Sequence, residues 1–205
     1  MKASTVTIKT EQDLEKLRVS GRLAAEVLAM IGAYVKPGVT TEYLDDICND
    51  YIVNTLKVIP ANVGYYGYTK TTCISPNEVL YYMLVNRATL GDIGHAIQSV
   101  GQREGYSIVR EYCGHGIGKI YHEQPNVLHY GKPGQGLVLK QGMVFTIEPM
   151  INAGKASVKE LKDGWTVVTA DKSLSAQWEH MVAVTETGFE LLTPWPEGTG
   201  NYPEI

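Results

Sequence analysis

An α+β fold, with helices that precede and cover an antiparallel sheet, is what this sequence predicts. Two patterns carry that prediction. Apolar residues recur at three- and four-residue spacing through most of the first 52 residues and again from Leu90 to Gly101, the period of helices with one buried face. From Ser107 onward, short alternating runs are separated by Gly, Pro, Asp and Asn clusters, the pattern of strands joined by turns. An apolar fraction of 44% over 205 residues suffices to bury one full core, so a single domain over residues 1–205 is expected.

Thr10 with Asp13 forms a capping-box pattern that opens the first helix, and Leu14, Leu17, Gly21, Ala24, Leu28 and Ile31 supply its expected buried stripe. Lys36-Pro37-Gly38 ends it. Thr40 or Thr41 caps a second helix whose Leu44, Ile47, Tyr51 and Ile52 are expected to face inward. A third helix runs from Leu90 to Gly101 on the period of Leu90, Ile93, Ile97 and Val100, with Gly101 and Gly105 bounding it. The expected strands are Ser107 to Tyr112, Met143 to Glu148, Gly164 to Val168 and Ala176 to Val184. In the second of these, Val144, Thr146 and Glu148 share a face. Pro149 lacks a ladder donor, so the strand must end or leave the sheet there, which places Glu148 at a rim. In the last strand Glu179 points opposite to Trp178 and His180, which separates Glu179 from His180 as candidate ligands of one ion.

The formal charge of -4, with acids and bases mixed along the chain, argues against sequence-specific nucleic-acid binding by a broad basic surface. Cys48, Cys73 and Cys113 are an odd number without a CxxC pair, which excludes a disulfide framework and points to a reducing compartment. Met1 to Thr7 lacks an apolar signal core, and no run reaches the roughly 18 apolar residues of a membrane span. A cytoplasmic protein without a membrane partner is expected.

The chemistry concentrates between Glu111 and Glu179. His115 stands between Gly114 and Gly116, which permit close backbone approach, and His122 precedes Glu123 and Pro125 in a loop; Glu148 and Glu179 are borne by strands. Neutral imidazole with carboxylates suits Zn, Fe, Mn or Co, whereas a thiolate set would indicate structural zinc or a cluster. On their own, His115 could be a turn histidine and the two glutamates solvated strand acids, so the coincidence of all three is what indicates a metal. His95 and His129 sit beside no such acid set and read as structural or surface residues, and His180 as buried or supporting.

The runs Cys113-Gly114-His115-Gly116-Ile117-Gly118, Tyr121-His122-Glu123-Gln124-Pro125, Thr146-Ile147-Glu148-Pro149 and Gln177-Trp178-Glu179-His180 resemble, in this order, the signature blocks of the bacterial type I methionine aminopeptidases. Arg18 to Val27, Gly64 to Ser75 and Asp163 to Thr185 match the same family. The resemblance implies the pita-bread (creatinase/aminopeptidase-like) fold, a curved antiparallel sheet covered by helices. It also shows a departure: the family carries roughly seventy residues between its counterparts of Val79 and Thr89, with two aspartate metal ligands, where this chain has only the residues 80–88 junction and no carboxylate. Part of the N-terminal half is therefore expected to be missing.

By resemblance, His115, Glu148 and Glu179 are the metal ligands and His122 and Glu148 the catalytic residues, with one divalent ion (Co, Mn, Fe or Zn) at most. Tyr65, Tyr66, Tyr68, Cys73, Tyr121 and Trp165 resemble the family's pocket for the methionine side chain, with Tyr66 standing where a second active-site histidine is usual. Asn77, Val79 and Ser175 match positions that can hold a monovalent cation in relatives. The implied activity is metal-dependent removal of N-terminal methionine from peptides and nascent chains, with the ribosome as an implied partner. Two other readings follow from the absent aspartates: a catalytically silent relative, natural or engineered, that keeps the fold and at most one metal, and a module that binds peptide N-termini without hydrolysis. The apolar run Leu80-Tyr81-Tyr82-Met83-Leu84-Val85 is a candidate surface for oligomerisation.

Overall fold

The structure is a computed structural model that describes residues 6–73 and 88–194. The junction and its apolar run, with Asn77 and Val79, lie outside the described residues. The chain forms two compact units, one from residues 1–14 and 75–191 and the other from residues 15–74 and 192–205.

Helix α1, Glu11–Gly32, opens on the predicted box: the Asp13 N–H donates to the Thr10 hydroxyl at 3.2 Å and the Thr10 N–H to the Asp13 carboxylate at 3.1 Å. Its buried residues are Gly21, Ala25 and Val27, while Leu28 is exposed, so the middle of the expected stripe is displaced. Helix α2, Thr41–Asp50, is capped by Thr40, whose hydroxyl accepts from the Tyr43 N–H at 3.1 Å, and runs on into a wider π-helical turn, Tyr51–Thr55. Its buried face is Leu44, Asp45 and Cys48 rather than the expected line through Ile47 and Tyr51. Asp45 is inside because it has partners. Its Oδ1 accepts from the N–H groups of Thr71 (3.0 Å) and Thr72 (2.7 Å) and from the Thr72 hydroxyl (2.6 Å), which ties the 71–72 segment to the helix.

In the other unit, α3 spans Leu90–Arg103 behind a complete Thr89–Asp92 capping box. Ten short strands follow among the described residues: β1 Ser107–Ile108, β2 Gly114–Gly116, β3 Glu123–Val127, β4 Val144–Ile147, β5 Met150–Asn152, β6 Val158–Glu160, β7 Val167–Thr169, β8 Ser175–Gln177, β9 His180–Val184 and β10 Phe189–Leu191. They pair antiparallel in three sheets, ordered β10-β9-β4-β2-β3, β1-β5-β8 and β6-β7. The core lies between α3 and the five-stranded sheet, where Ile93 meets Val127, Leu139, Met143, Phe145, Val182 and Val184, with Leu90 and Ile97 packed against them. Gly94 brings the helix close to the chain, since a Cβ there would collide with the carbonyl oxygens of Tyr130 and Leu128.

Two strand expectations are revised in a way that shapes the site. Met143 to Glu148 ends as a strand at Ile147, and the chain passes Pro149 to begin β5 in another sheet, as the missing proline donor requires. Ala176 to Val184 is two strands, β8 and β9, in different sheets, with Trp178 and Glu179 at the break. Both candidate glutamates thus sit where the chain changes sheet. Ser107 to Tyr112 shortens to β1, and the expected Gly164 to Val168 strand shifts to β7, which pairs with β6 in a hairpin.

Candidate active site

His115 is the middle residue of β2, and the glycines on either side are dictated by packing. A Cβ on Gly114 would collide with the Thr146 carbonyl of β4, and one on Gly116 with the Gln124 carbonyl of β3. Only a Gly-His-Gly strand fits between those two neighbours while presenting an imidazole. The loop expected around His122 becomes β3 from Glu123, and Pro125 is tolerated because β3 is the edge of its sheet.

One ligand atom each from His115, Glu148 and Glu179 lie within 4.8 Å of one another, the one such His, Cys, Asp or Glu group among the described residues. The His115 Nδ1–H donates to the Gly116 carbonyl at 2.9 Å, because a carbonyl can only accept; Nε2 is left with its lone pair, 3.5 Å from Glu148 Oε1. Thr146 links the two. Its hydroxyl accepts from the His115 N–H at 2.9 Å and donates to Glu148 Oε1 at 2.7 Å. Glu148 Oε2 meets the Gln177 side-chain amide at 3.5 Å, and the Glu148 N–H donates to His129 Nε2 at 3.1 Å.

The electrostatics fit a cation. Burial and the neighbouring charge of Glu179 push the Glu148 carboxyl up to about 8, against the Thr146 hydroxyl bond, which works the other way. Burial also raises Glu179, although the residue stands at the open side of the cluster, and burial lowers His115, with the Gly116 bond opposing. His115 and Glu148 are therefore not an ion pair at neutral pH, despite their 3.5 Å approach. Two carboxyls that resist ionising together and an imidazole held with a free lone pair are a donor set that a divalent cation satisfies.

His122 stands beside this set, its ring 3.9 Å from that of His115 between centroids and stacked on Tyr121 at 4.5 Å. Burial, then the nearby His115, lower it to about 4, so it is a neutral donor at pH 7. Trp165 is half exposed in the β6–β7 turn, where its backbone N–H donates to the Asp163 carboxylate at 3.1 Å. Tyr65, Tyr66, Tyr68 and Cys73 belong to the other unit. There Tyr65 and Tyr66 meet edge to face at 4.8 Å in a 3-10 turn, the Tyr68 hydroxyl donates to the Thr72 carbonyl at 2.9 Å, and Tyr66 and Cys73 are exposed. Ser175 is the first residue of β8, paired with Asn152.

His129 and Thr146 are the residues that sequence reasoning missed. His129 is 1% exposed and holds the backbone entry of Glu148, 19 residues away in sequence. No local pattern announces that contact. For Thr146, its place two residues before Glu148 on the same strand face was the available signal. His180 is buried and accepts the Trp178 indole N–H at 2.8 Å, whereas Glu179, not His180, groups with His115 and Glu148.

An imidazole from the middle of β2, with two glutamates where the chain changes sheet, is a donor set of the kind that metal-dependent hydrolases use. A model of metallopeptidase family M24 matches residues 82–186. The methionine aminopeptidase of Salmonella typhimurium is 46% identical over an alignment covering 92% of this chain and 94% of that protein, and that of Escherichia coli K12 is 45% identical over the same shares. These alignments span 247 positions, more than the 205 residues here, so the relatives carry residues for which this chain has none. Among solved structures, the methionine aminopeptidase of Rickettsia prowazekii superposes with a TM-score of 0.86 at 40% identity, covering 93% of this chain and 100% of that one. That of Thermotoga maritima superposes with 0.85 at 30% identity, covering 92% and 99%. The chain belongs to the M24 metallopeptidases, and within them to the methionine aminopeptidase family, with the pita-bread fold. The family implies a divalent metal and peptide substrates. No helix among the described residues is long and apolar enough to cross a membrane.

Proposed function

We propose that this chain removes the N-terminal methionine from peptides and nascent chains in the cytoplasm, using one divalent ion of the Co, Mn, Fe or Zn group. The observation that supports it most is the gathering of His115, Glu148 and Glu179 within 4.8 Å, with neutral His122 alongside. His115 Nε2 and carboxylate oxygens of Glu148 and Glu179 would hold the ion. A divalent cation at such a place supplies Lewis acidity, polarising the scissile carbonyl and acidifying water.

The chain's own residues do the rest. Glu148 Oε1 is fixed by the Thr146 hydroxyl and faces His115, which leaves Oε2, beside the Gln177 amide at 3.5 Å, to take the proton from the attacking water and pass it to the departing amine. His122 donates its ring N–H to the carbonyl oxygen as negative charge develops there. Tyr121 keeps the His122 ring in place by stacking, and Tyr121 with Trp165 offers aromatic surface to the methionine side chain. Three ligands instead of five favour a second reading, a silent relative that binds one ion without turnover.

Release of free methionine from Met-Ala-Ser, compared with N-acetylated Met-Ala-Ser, tests the proposal. Metal-dependent release from the free peptide alone is expected. Folded, metal-bound protein that releases no methionine would support the silent relative instead.

A further inference from the structure

We infer that the N-terminal arm, through Lys9 and Thr7, positions the His122 turn, so that Lys9 and Glu123 are positioning residues for the reaction. This rests on the role proposed for His122. The segment 117–122 that carries His122 has no strand or helix of its own, and Glu123, the first residue of β3, engages Thr7, Lys9 and Ile120 with its carboxylate. Glu123 Oε2 accepts the Lys9 ammonium at 2.7 Å and the Thr7 hydroxyl at 2.6 Å, while Oε1 accepts the Ile120 N–H at 3.3 Å. One carboxylate therefore joins the middle of the turn to an arm more than 110 residues earlier in sequence.

The arm is itself fixed. The Lys9 N–H donates to the Gly142 carbonyl at 2.7 Å, just before β4, and a Cβ on Gly142 would press on Ile8 and Lys9. At the other end, a Cβ on Gly118 would meet the Glu123 carboxylate and the Lys9 ammonium, at 2.6 Å from the latter, so the turn closes directly over the pair. The Lys9 and Glu123 side chains are only 7% and 10% exposed. A pair this buried gains little net stability over an apolar replacement, because desolvation offsets attraction. What it does supply is a fixed distance between arm and turn. Residue 122 is the immediate neighbour of the clamped residue, and its ring must stay at the 3.9 Å approach to His115 to meet a substrate held there.

Removing Lys9 alone would strand a buried carboxylate and could unfold the chain, so the variant of choice is Lys9→Met with Glu123→Gln, which removes both charges. Lys9→Arg is the conservative control. Hydrogen exchange followed by mass spectrometry, Mn²⁺ titration calorimetry and methionine release from Met-Ala-Ser would be measured on the full chain. In the double variant, exchange in peptides covering 117–124 is expected to accelerate by about tenfold or more while peptides covering 144–148 and 180–184 keep the wild-type rate. Mn²⁺ affinity stays within about threefold, and kcat falls by about tenfold to a hundredfold with KM little changed, as misplacement of one catalytic group predicts. Lys9→Arg keeps turn protection and kcat within about threefold of wild type. Unchanged exchange at 117–124 overturns the inference, as does a parallel loss of Mn²⁺ affinity and of protection across the sheet. If the wild-type chain shows no turnover, the functional proposal fails, and the exchange comparison still decides whether the arm holds the turn.

Discussion

Thr146→Val offers the sharpest test of how the site is built. Thr146 is 1% exposed, and its hydroxyl accepts from the His115 N–H (2.9 Å) and donates to Glu148 Oε1 (2.7 Å). Valine keeps the shape and loses the oxygen. An unpaired N–H in that position costs about 1–3 kcal/mol. In the metal-free protein the Glu148 carboxyl, pushed up to about 8, is mostly protonated at neutral pH, so the lost bond to it is a neutral one worth about 1 kcal/mol. A total of about 2–4 kcal/mol is expected, read as a lower urea midpoint with unchanged slope. Because the hydroxyl aims a ligand, Mn²⁺ affinity measured by calorimetry should fall by about 10–100-fold. Thr146→Ser separates the two effects: it loses a buried methyl, about 1 kcal/mol, and keeps the oxygen, so its Mn²⁺ affinity should stay within about threefold of wild type. The reasoning is refuted if Thr146→Val stays within about 0.5 kcal/mol of wild type in stability and binds Mn²⁺ as tightly, or if serine lowers metal affinity as much as valine does.

Other expectations follow from single contacts. Gly94→Ala should cost about 1–3 kcal/mol or more, since the new methyl meets backbone carbonyls of Tyr130 and Leu128 that cannot rotate away; an unchanged melting temperature would contradict the helix–chain approach. Phe145→Ala, at a side chain with 0% exposure in the centre of the five-stranded sheet, should lose about 3–5 kcal/mol by denaturant titration, and a loss under about 1 kcal/mol would mean that the core collapses around it. Asp171 is held down at about 2 by the Lys155 N–H first, then by Ser173. A depressed carboxylate stabilises above its unfolded value of about 3.9 and loses that contribution as pH falls toward 2, so Asp171→Asn should flatten the decline of stability between those pH values. Identical slopes for the two proteins would rule the contribution out.

Much of the site was legible in the sequence because its parts are local. Gly-His-Gly, Ile-Glu-Pro and Trp-Glu-His each declare a backbone that must pass close to a neighbour, leave a sheet or turn a carboxylate outward, and the structure brings His115, Glu148 and Glu179 together accordingly. The α1 start was equally clear, since its capping box is written within four residues, whereas α3 was placed by its apolar period and its Thr89–Asp92 box emerged only in the structure. What escaped was set at long range. Asp45 reads as a solvated helix acid until the Thr71 and Thr72 donors arrive from another segment, and their arrival turns the buried face of α2 away from Ile47. The Ala176–Val184 run alternates like one strand, and only the two sheets it joins reveal the break at Trp178 and Glu179. His129 gave no sign of its bond to Glu148, because that contact depends on how the chain between β3 and β4 folds back.

The central claim is that His115, Glu148 and Glu179 hold one divalent ion that drives release of methionine. Mn²⁺ titrated into the metal-stripped chain, with calorimetry and methionine release from Met-Ala-Ser followed on the same samples, tests it most directly. Binding should saturate at about one ion per chain, turnover should rise in proportion to occupancy and stop rising there, and both should be lost in Glu148→Ala. Turnover that survives in Glu148→Ala, or that appears only after a second ion binds, would contradict it.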